Sequence, residues 1–168
     1  RVLALDVQPG AIQWAARGMP CDAWNVGCGL NIAGLFVVPP NDDGPDPKGP
    51  DRDFAQGPMP FGGNSRSNDG GHLVGAGRKS GMFWAFNAKT VKLAWSRQVA
   101  PVGLTGGLQM GVGHGRQRHL RGHRPQSPDG AAATPGVWTL KDGSTTTAGG
   151  WAALDAKSGA VQWTTKDT

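Results

Sequence analysis

An all-β fold built from repeated hairpins follows from three observations in this 168-residue sequence. An eleven-residue pattern, Ala-x-Asp-x-x-x-Gly-x-x-x-Trp, occurs three times, from Ala4 to Trp14, Ala85 to Trp95 and Ala153 to Trp163, with Asn87 and Val91 as departures in the middle copy. In each copy an apolar run reaches the Asp position, a polar stretch follows and a second run ends in Trp, which reads as strand, turn and strand. The 28 Gly and 13 Pro make up about a quarter of the chain, the proportion of a loop-rich protein with many tight turns. Seven Trp set the chain apart from disordered sequences, which are poor in aromatics. One hairpin cannot bury its own apolar face but stacked copies can, so three copies predict a radial array of sheets with the Trp residues as packing between them.

Residues 1–17 form the first hairpin, with Gly10 where the turn needs a left-handed backbone. Val91 holds that place in the second copy and reaches such a conformation only with strain, so the middle turn is expected to differ. Between the first two hairpins, Cys21 and Cys28 are the only cysteines; they form a small-loop disulfide in an oxidising compartment or stay as two thiols. No Cys-x-x-Cys-His run is present to attach a c-type haem. A loop rich in Asp and Pro runs from Pro39 to Pro50 and continues through Asp51 and Asp53. Its carboxylates suit a hard cation, yet their spacing does not follow the EF-hand order, and a solvated acidic loop is the plainer reading. His72–Ala76 and Met82–Phe86 read as strands around the Gly-rich turn that ends at Gly81. Lys79 and Ser80 give that turn the composition of a phosphate loop. They precede its last Gly, however, and an aromatic strand follows where a phosphate loop feeds a helix.

From Gly103 to Gly113 the chain is dense in Gly, and beyond it His114, His119 and His123 lie among Arg116, Arg118, Arg121 and Arg124. Neighbouring guanidinium groups oppose metal binding by these histidines. The same cluster carries much of the net charge of +5, without interleaved aromatics for base stacking, and so reads as a solvated loop and not as a nucleic-acid site. A permissive back-translation of His114 to Arg124, read in a shifted frame, gives an Asp-Gly turn running into a strand. A frameshift that replaced a strand here predicts a missing or irregular one. Ala131 to Ala148 is a connection with a short strand near Val137 to Leu140, and Gly149 to Trp163 is the third hairpin. The whole reads as one domain, 1–168, with an irregular segment at 112–145. No apolar run approaches the roughly 20 residues of a membrane-spanning helix.

The three repeats resemble the tryptophan-docking motif of the quinoprotein dehydrogenases, β-propellers that bind pyrroloquinoline quinone (PQQ). Further elements, in the same order, resemble the polyvinyl alcohol dehydrogenase-like branch of that family: Asp22-Ala23-Trp24-Asn25 with Cys28, Gly49-Pro50-Asp51-Arg52-Asp53-Phe54 with Pro58-Met59, Gly77-Arg78-Lys79-Ser80-Gly81, Gly106-Gly107, and Gly149 to Asp155. The resemblance covers most of the chain and fails from about 112 to 145. It implies a partial β-propeller of the quinoprotein alcohol dehydrogenase-like type, about three blades or parts of blades, with each Trp packed on the adjacent blade. Propeller rings typically have 4–8 blades, and the chain opens at Arg1 within an apparent strand. An internal piece is therefore expected, its ring completed by other blades or a partner chain.

The resemblance also implies a chemistry. PQQ and calcium are the implied cofactors, an alcohol or polymer alcohol the substrate, hydride transfer to the quinone the reaction, and the periplasm or the extracellular space the location. By motif position Asp51 is the implied base for the alcohol proton, with Asp53 as alternate, and Lys79 contacts the quinone. Asn25, Trp24, Gly106 and Gly107 are the other implied cofactor contacts, and Asn25 and Asp51 the implied calcium ligands. The same residues have plainer readings: Asp51 and Asp53 as turn caps, Lys79 as a solvated hairpin lysine, Asn25 as a turn residue. Gln109-Met110 stands where the family has an aromatic, which weakens any stacking surface for a planar quinone. That departure leaves open a propeller scaffold or binding module that has lost its cofactor site.

Overall fold

The computed structural model describes residues 1–18, 23, 30–32, 36–38, 47, 49, 52–62, 71–102, 107–108, 113–114, 118–122 and 136–167. The described strands, in chain order, are β1 (Val2–Leu5), β2 (Ile12–Ala16), β3 (Leu30–Ile32), β4 (Phe36–Val38), β5 (Met59–Phe61), β6 (Leu73–Gly77), β7 (Met82–Asn87), β8 (Leu93–Gln98), β9 (Gly113–His114), β10 (Arg118–Gly122), β11 (Trp138–Thr139), β12 (Thr145–Thr146), β13 (Gly150–Leu154) and β14 (Val161–Lys166). The described residues contain no helix, so the fold is all-β. A four-stranded meander, β5-β6-β7-β8, forms the middle sheet, and a second four-stranded sheet has the order β14-β13-β10-β9. The hairpins β1-β2, β3-β4 and β11-β12 are two-stranded sheets. All described sheets are small, and none closes on itself.

Each repeat is a hairpin with the same bulge. Ala4 pairs with Trp14 while Leu5 pairs with Ile12, so Gln13 has no opposite residue. Ala94 and Gln162 are left over in the same way before Trp95 and Trp163. An extra residue at this point bends and twists the second strand where it delivers the Trp.

The turns are equally alike. The Asp6, Asn87 and Asp155 amides each donate to the carbonyl five residues on, at 2.8, 2.9 and 2.8 Å. Gly10, Val91 and Gly159 donate back to the Asp6, Asn87 and Asp155 carbonyls at 3.0, 2.9 and 2.9 Å. A side-chain oxygen caps each turn, as in Asx turns. Asp6 Oδ1 accepts from the Gln8 amide, Asn87 Oδ1 from the Lys89 and Thr90 amides, and Asp155 Oδ1 from the Lys157 and Ser158 amides. Only an oxygen is needed here, which is why Asn87 replaces Asp without changing the turn. The expectation that Val91 would alter the middle turn is corrected. Val91 adopts φ 64°, beside 68° for Gly10 and 69° for Gly159. The Asn87 bonds, together with packing of Val91 on the Val2, Ala16, Ala76 and Phe86 cluster, hold it in a conformation that isolated valine avoids.

Alternation along the middle sheet gives it two apolar faces. Phe61, Leu73, Phe83, Ala85 and Trp95 pack on one side with Ala152 and Leu154 of β13. Val74, Ala76, Trp84 and Phe86 pack on the other with Val2, Trp14 and Ala16 of the first hairpin. The middle sheet is thus sandwiched between β1-β2 and β13-β14, and the indoles stitch the stack. Trp14 Nε1 donates to the Ala88 carbonyl at 3.0 Å, and Trp95 Nε1 to the Ala156 carbonyl at 3.3 Å. Each Trp therefore reaches the turn of the next repeat. The Trp95 ring also lies against Gly159, where a Cβ would stand 2.5 Å from Cε3.

Where a lost or irregular strand was expected, β10 runs from Arg118 to Gly122 and pairs with β13 in unbroken register, Arg118 opposite Leu154 and Gly122 opposite Gly150. Backbone pairing tolerates most residue types, so a polar, basic sequence can still complete a sheet whose neighbouring strand is in place. The expected short strand near Val137 is β11, paired with β12.

Candidate functional site

The turn from β6 into β7 gathers three chain segments at one end of the middle sheet. The Gly81 amide donates to the Arg78 carbonyl at 3.0 Å, and Gly81 has φ 77°. A Cβ on Gly81 would lie 2.0 Å from the Ala100 carbonyl oxygen, so only glycine lets the segment after β8 pass this close. That segment is fastened by the Val99 amide to the Gly81 carbonyl at 2.9 Å, and Gln98 Nε2 donates to the Ser80 and Ala100 carbonyls at 3.3 and 2.8 Å. From the other side, Phe54 bridges Arg78, and the Lys79 amide donates to the Asp53 carbonyl at 3.0 Å. Gly107 completes the arrangement with φ 73°; a Cβ there would be 2.4 Å from the Lys79 carbonyl oxygen. The Leu108 amide donates to the Arg78 carbonyl at 3.0 Å.

Of the predicted site residues, the structure brings Asp53, Lys79 and Gly107 together around this turn. Asp53 is exposed and Lys79 half-buried. Asp51, Asn25, Trp24 and Gly106 lie outside the described residues, as do Cys21, Cys28, Gln109 and Met110. Among the described residues no group of three or more His, Cys, Asp or Glu side chains could hold a metal ion.

Sequence reasoning missed the polar interior of this site. Gln56, Arg78 and Ser80 are the buried polar or charged side chains of the described residues, and all three sit at this turn. The Arg78 guanidinium lies 5.0 Å from the centre of the Phe54 ring, a cation-π contact. Both polar atoms of the Gln56 amide and the Ser80 hydroxyl are buried without a hydrogen-bond partner among the described residues. A buried polar atom left in this way costs about 1–3 kcal/mol, and proteins keep such atoms mostly where something else engages them. The signal is faint in the sequence: Gln56 lies between Phe54 and Pro58-Met59 with no motif of its own, and Arg78 and Ser80 flank the more conspicuous Lys79.

A cleft of about 470 Å³ lies elsewhere, between β8, β14 and the β11-β12 hairpin, lined by Arg97, Gln98, Leu140, Lys141 and Thr164 among others. None of the predicted site residues lines it. The displaced carboxyls are also remote from the site. Asp155 is held below the ordinary carboxylate range first by the Ser158 hydroxyl and then by the Ser158 amide, and Asp142 likewise by Ser144.

Over 170 aligned positions the chain is 28% identical to the polyvinylalcohol dehydrogenase of Sphingopyxis sp. (strain 113P3). That relative is a dehydrogenase. The alignment takes in 96% of this chain, so the converging segments around Lys79 fall within it, and the chain spans 21% of the dehydrogenase's length. No family model matches the chain, and no solved structure matches it significantly. No helix among the described residues is long and apolar enough to cross a membrane.

Proposed function

We propose that this chain is a segment of a PQQ-dependent dehydrogenase of β-propeller form, whose whole oxidises alcohols by hydride transfer to the quinone. The observation that carries the reading is the set of buried, unpartnered Gln56 and Ser80 atoms beside Lys79 and Asp53, within a chain similar to a polyvinylalcohol dehydrogenase. These residues fit a flat, oxygen-rich cofactor: Gln56 offers an amide, Ser80 a hydroxyl and Lys79 an ammonium. The cofactors, when bound, supply a hydride acceptor and, through calcium, a Lewis acid. Lys79 then holds negative charge next to the turn, in a half-buried position where an ammonium is less screened than in open water. With the cofactors bound, Asp51 would take the alcohol proton, with Asp53 as alternate; Asn25 and Asp51 would hold calcium; and Trp24, Gly106 and Gly107 would contact the quinone. Gly107 lets its own segment pack against the Lys79 carbonyl, where any side chain would collide.

The substrate in this reading is a small or polymeric alcohol, and the location is periplasmic or extracellular. Further blades or a partner chain complete the ring. A second reading, a scaffold or binding module without cofactor, is favoured by Gln109-Met110 in place of an aromatic and by the exposure of Asp53. Titration with PQQ and calcium, followed by quinone absorbance and by dye-linked alcohol oxidation, separates the two. Uptake that Lys79→Ala weakens, and oxidation that Asp51→Asn abolishes, support the dehydrogenase. No uptake at saturating cofactor supports the scaffold.

A further inference from the structure

The cleft between β8, β14 and the β11-β12 hairpin gathers two cations for which the described residues supply no counter-ion. Arg97, on β8, donates from Nε to the Gly159 carbonyl at 3.1 Å, in the turn that leads into β14. Lys141, in the turn between β11 and β12, donates from Nζ to the Gln162 carbonyl, and its amide donates to Thr164 Oγ1 at 2.7 Å. Gly159 and Gln162 are three residues apart, a span of at most about 11 Å, so both cations are fastened to one short stretch of chain. Among the described residues no carboxylate lines the cleft. Asp142, next in sequence to Lys141, directs Oδ1 to the Ser144 amide and hydroxyl at 2.9 and 2.7 Å.

These groups are held in place before any ligand arrives. A free arginine or lysine gives up rotamer freedom when it grips a ligand, whereas here a backbone carbonyl already restrains each head. Arg97 spends Nε on Gly159, which leaves its two terminal nitrogens as a planar fork without a hydrogen-bond partner among the described residues. Such a fork matches the two oxygens of a carboxylate. The Lys141 ammonium has N–H groups beyond the one given to Gln162, and the Thr164 hydroxyl, which accepts from the Lys141 amide, keeps its own hydrogen to donate. Aliphatic surface completes the lining. Val137, Leu140 and Val161 contribute it, and Val137 is 57% exposed, open to whatever fills the cleft. The volume of about 470 Å³ lies within the roughly 300–1,000 Å³ of small-molecule sites.

We propose that this cleft binds a small organic carboxylate with an apolar body, the carboxylate on the Arg97 fork with Lys141 and Thr164 as further donors, and the body against Val137, Leu140 and Val161. A neutral ligand leaves both cations unmatched, and an inorganic anion leaves the aliphatic lining uncovered. The cleft is separate from the β6-β7 turn, and its ligand does not depend on the quinone reading.

Titration of the 168-residue chain with benzoate, followed by NMR of the backbone amides, tests it. Saturable shifts are expected at residues 139–141 and 161–164. Benzamide keeps the ring without the charge, and inorganic phosphate the charge without the ring; each is expected to bind at least tenfold more weakly. Arg97→Gln and Lys141→Gln are each expected to weaken benzoate by about tenfold, the loss of one charge-assisted bond. Both residues are exposed, so the variants keep the wild-type spectrum away from the cleft. Val137→Glu retains both cations but sets a like charge beside the ligand, and is expected to weaken binding as much. Lys79→Ala is expected to leave benzoate binding unchanged, so failure of quinone uptake and failure of this proposal are read separately. A wild-type chain that shows no saturable shifts overturns the proposal, as does benzamide or phosphate binding as tightly as benzoate. So does affinity that survives Arg97→Gln or Lys141→Gln, or benzoate shifts that gather around Lys79 and vanish in Lys79→Ala.

Discussion

Gly10 and Gly159 hold the same left-handed place in two copies of one turn, yet their surroundings differ, and this separates backbone strain from packing. Replacing Gly10 by Ala adds a side chain into open space, so only the left-handed cost of about 1 kcal/mol is expected. Gly159→Ala adds the same cost and drives a methyl into the Trp95 ring, where overpacking contributes a further 1–3 kcal/mol or so. Denaturant midpoints of the two variants are expected to differ by that second amount; equal midpoints would mean that the ring yields freely. Ser158 offers a test by pH. Its hydroxyl, at 2.7 Å, and its amide hold the Asp155 carboxylate ionised at lower pH than usual. A depressed carboxyl stabilises the fold above its ordinary range and loses that contribution as pH falls through the folded value. Ser158→Ala is expected to move the Asp155 titration upward by NMR and to weaken the fold slightly near neutral pH, with the difference vanishing in acid.

The buried amide and hydroxyl at the β6-β7 turn carry opposite expectations for stability and for binding. Gln56→Leu and Ser80→Ala remove atoms that have no described partner, so each is expected to leave the cofactor-free chain equally stable or firmer by up to about 1 kcal/mol. Each is also expected to weaken PQQ uptake. A loss of stability with unchanged uptake would assign these atoms to structure alone. The candidate site was legible in part for a physical reason. Lys79 and Gly107 stand in short motifs with unusual backbone demands, which a sequence displays. Burial of Gln56 depends on Leu108 and Gly77 arriving from distant parts of the chain, which local pattern does not encode.

At the level of elements, hairpins could be read because alternation and turn chemistry agree within a dozen residues. The role of each Trp needed the neighbouring hairpin. Trp95 is stacked on Phe83, with ring centres 5.6 Å apart, and its indole nitrogen is spent on the Ala156 carbonyl. Trp95→Phe keeps an aromatic but loses that bond and some volume, so a cost of about 1–3 kcal/mol is expected in chemical denaturation. Strand β10 was harder to anticipate, since Arg118 to Gly122 has little apolar alternation, and its place comes from the open edge of β13. A basic strand beside a well-formed hairpin is an example of tertiary context overriding propensity.

Across the whole molecule, the middle sheet is apolar on both faces and depends on both neighbours. Deleting residues 1–17 uncovers Trp84 and Phe86, and the truncated chain is expected to bind a hydrophobic dye and to aggregate. A truncated chain that stays soluble and dye-free would mean that this face is covered some other way. The all-β class and the stacking of hairpins were both open to sequence reasoning, because a pattern repeated three times carries its own packing rule.

The shared leftover residue before each Trp, Gln13, Ala94 and Gln162, has one more consequence. Because the three repeat hairpins bend at the same register and both described joints use the same indole and carbonyl, the units are interchangeable parts. Transplanting Gly150–Lys166 over the opening hairpin should yield a working joint with Ala88, whereas a one-residue deletion at Gln13 or Ala94 would remove the bend that aims the following tryptophan and uncouple that joint alone.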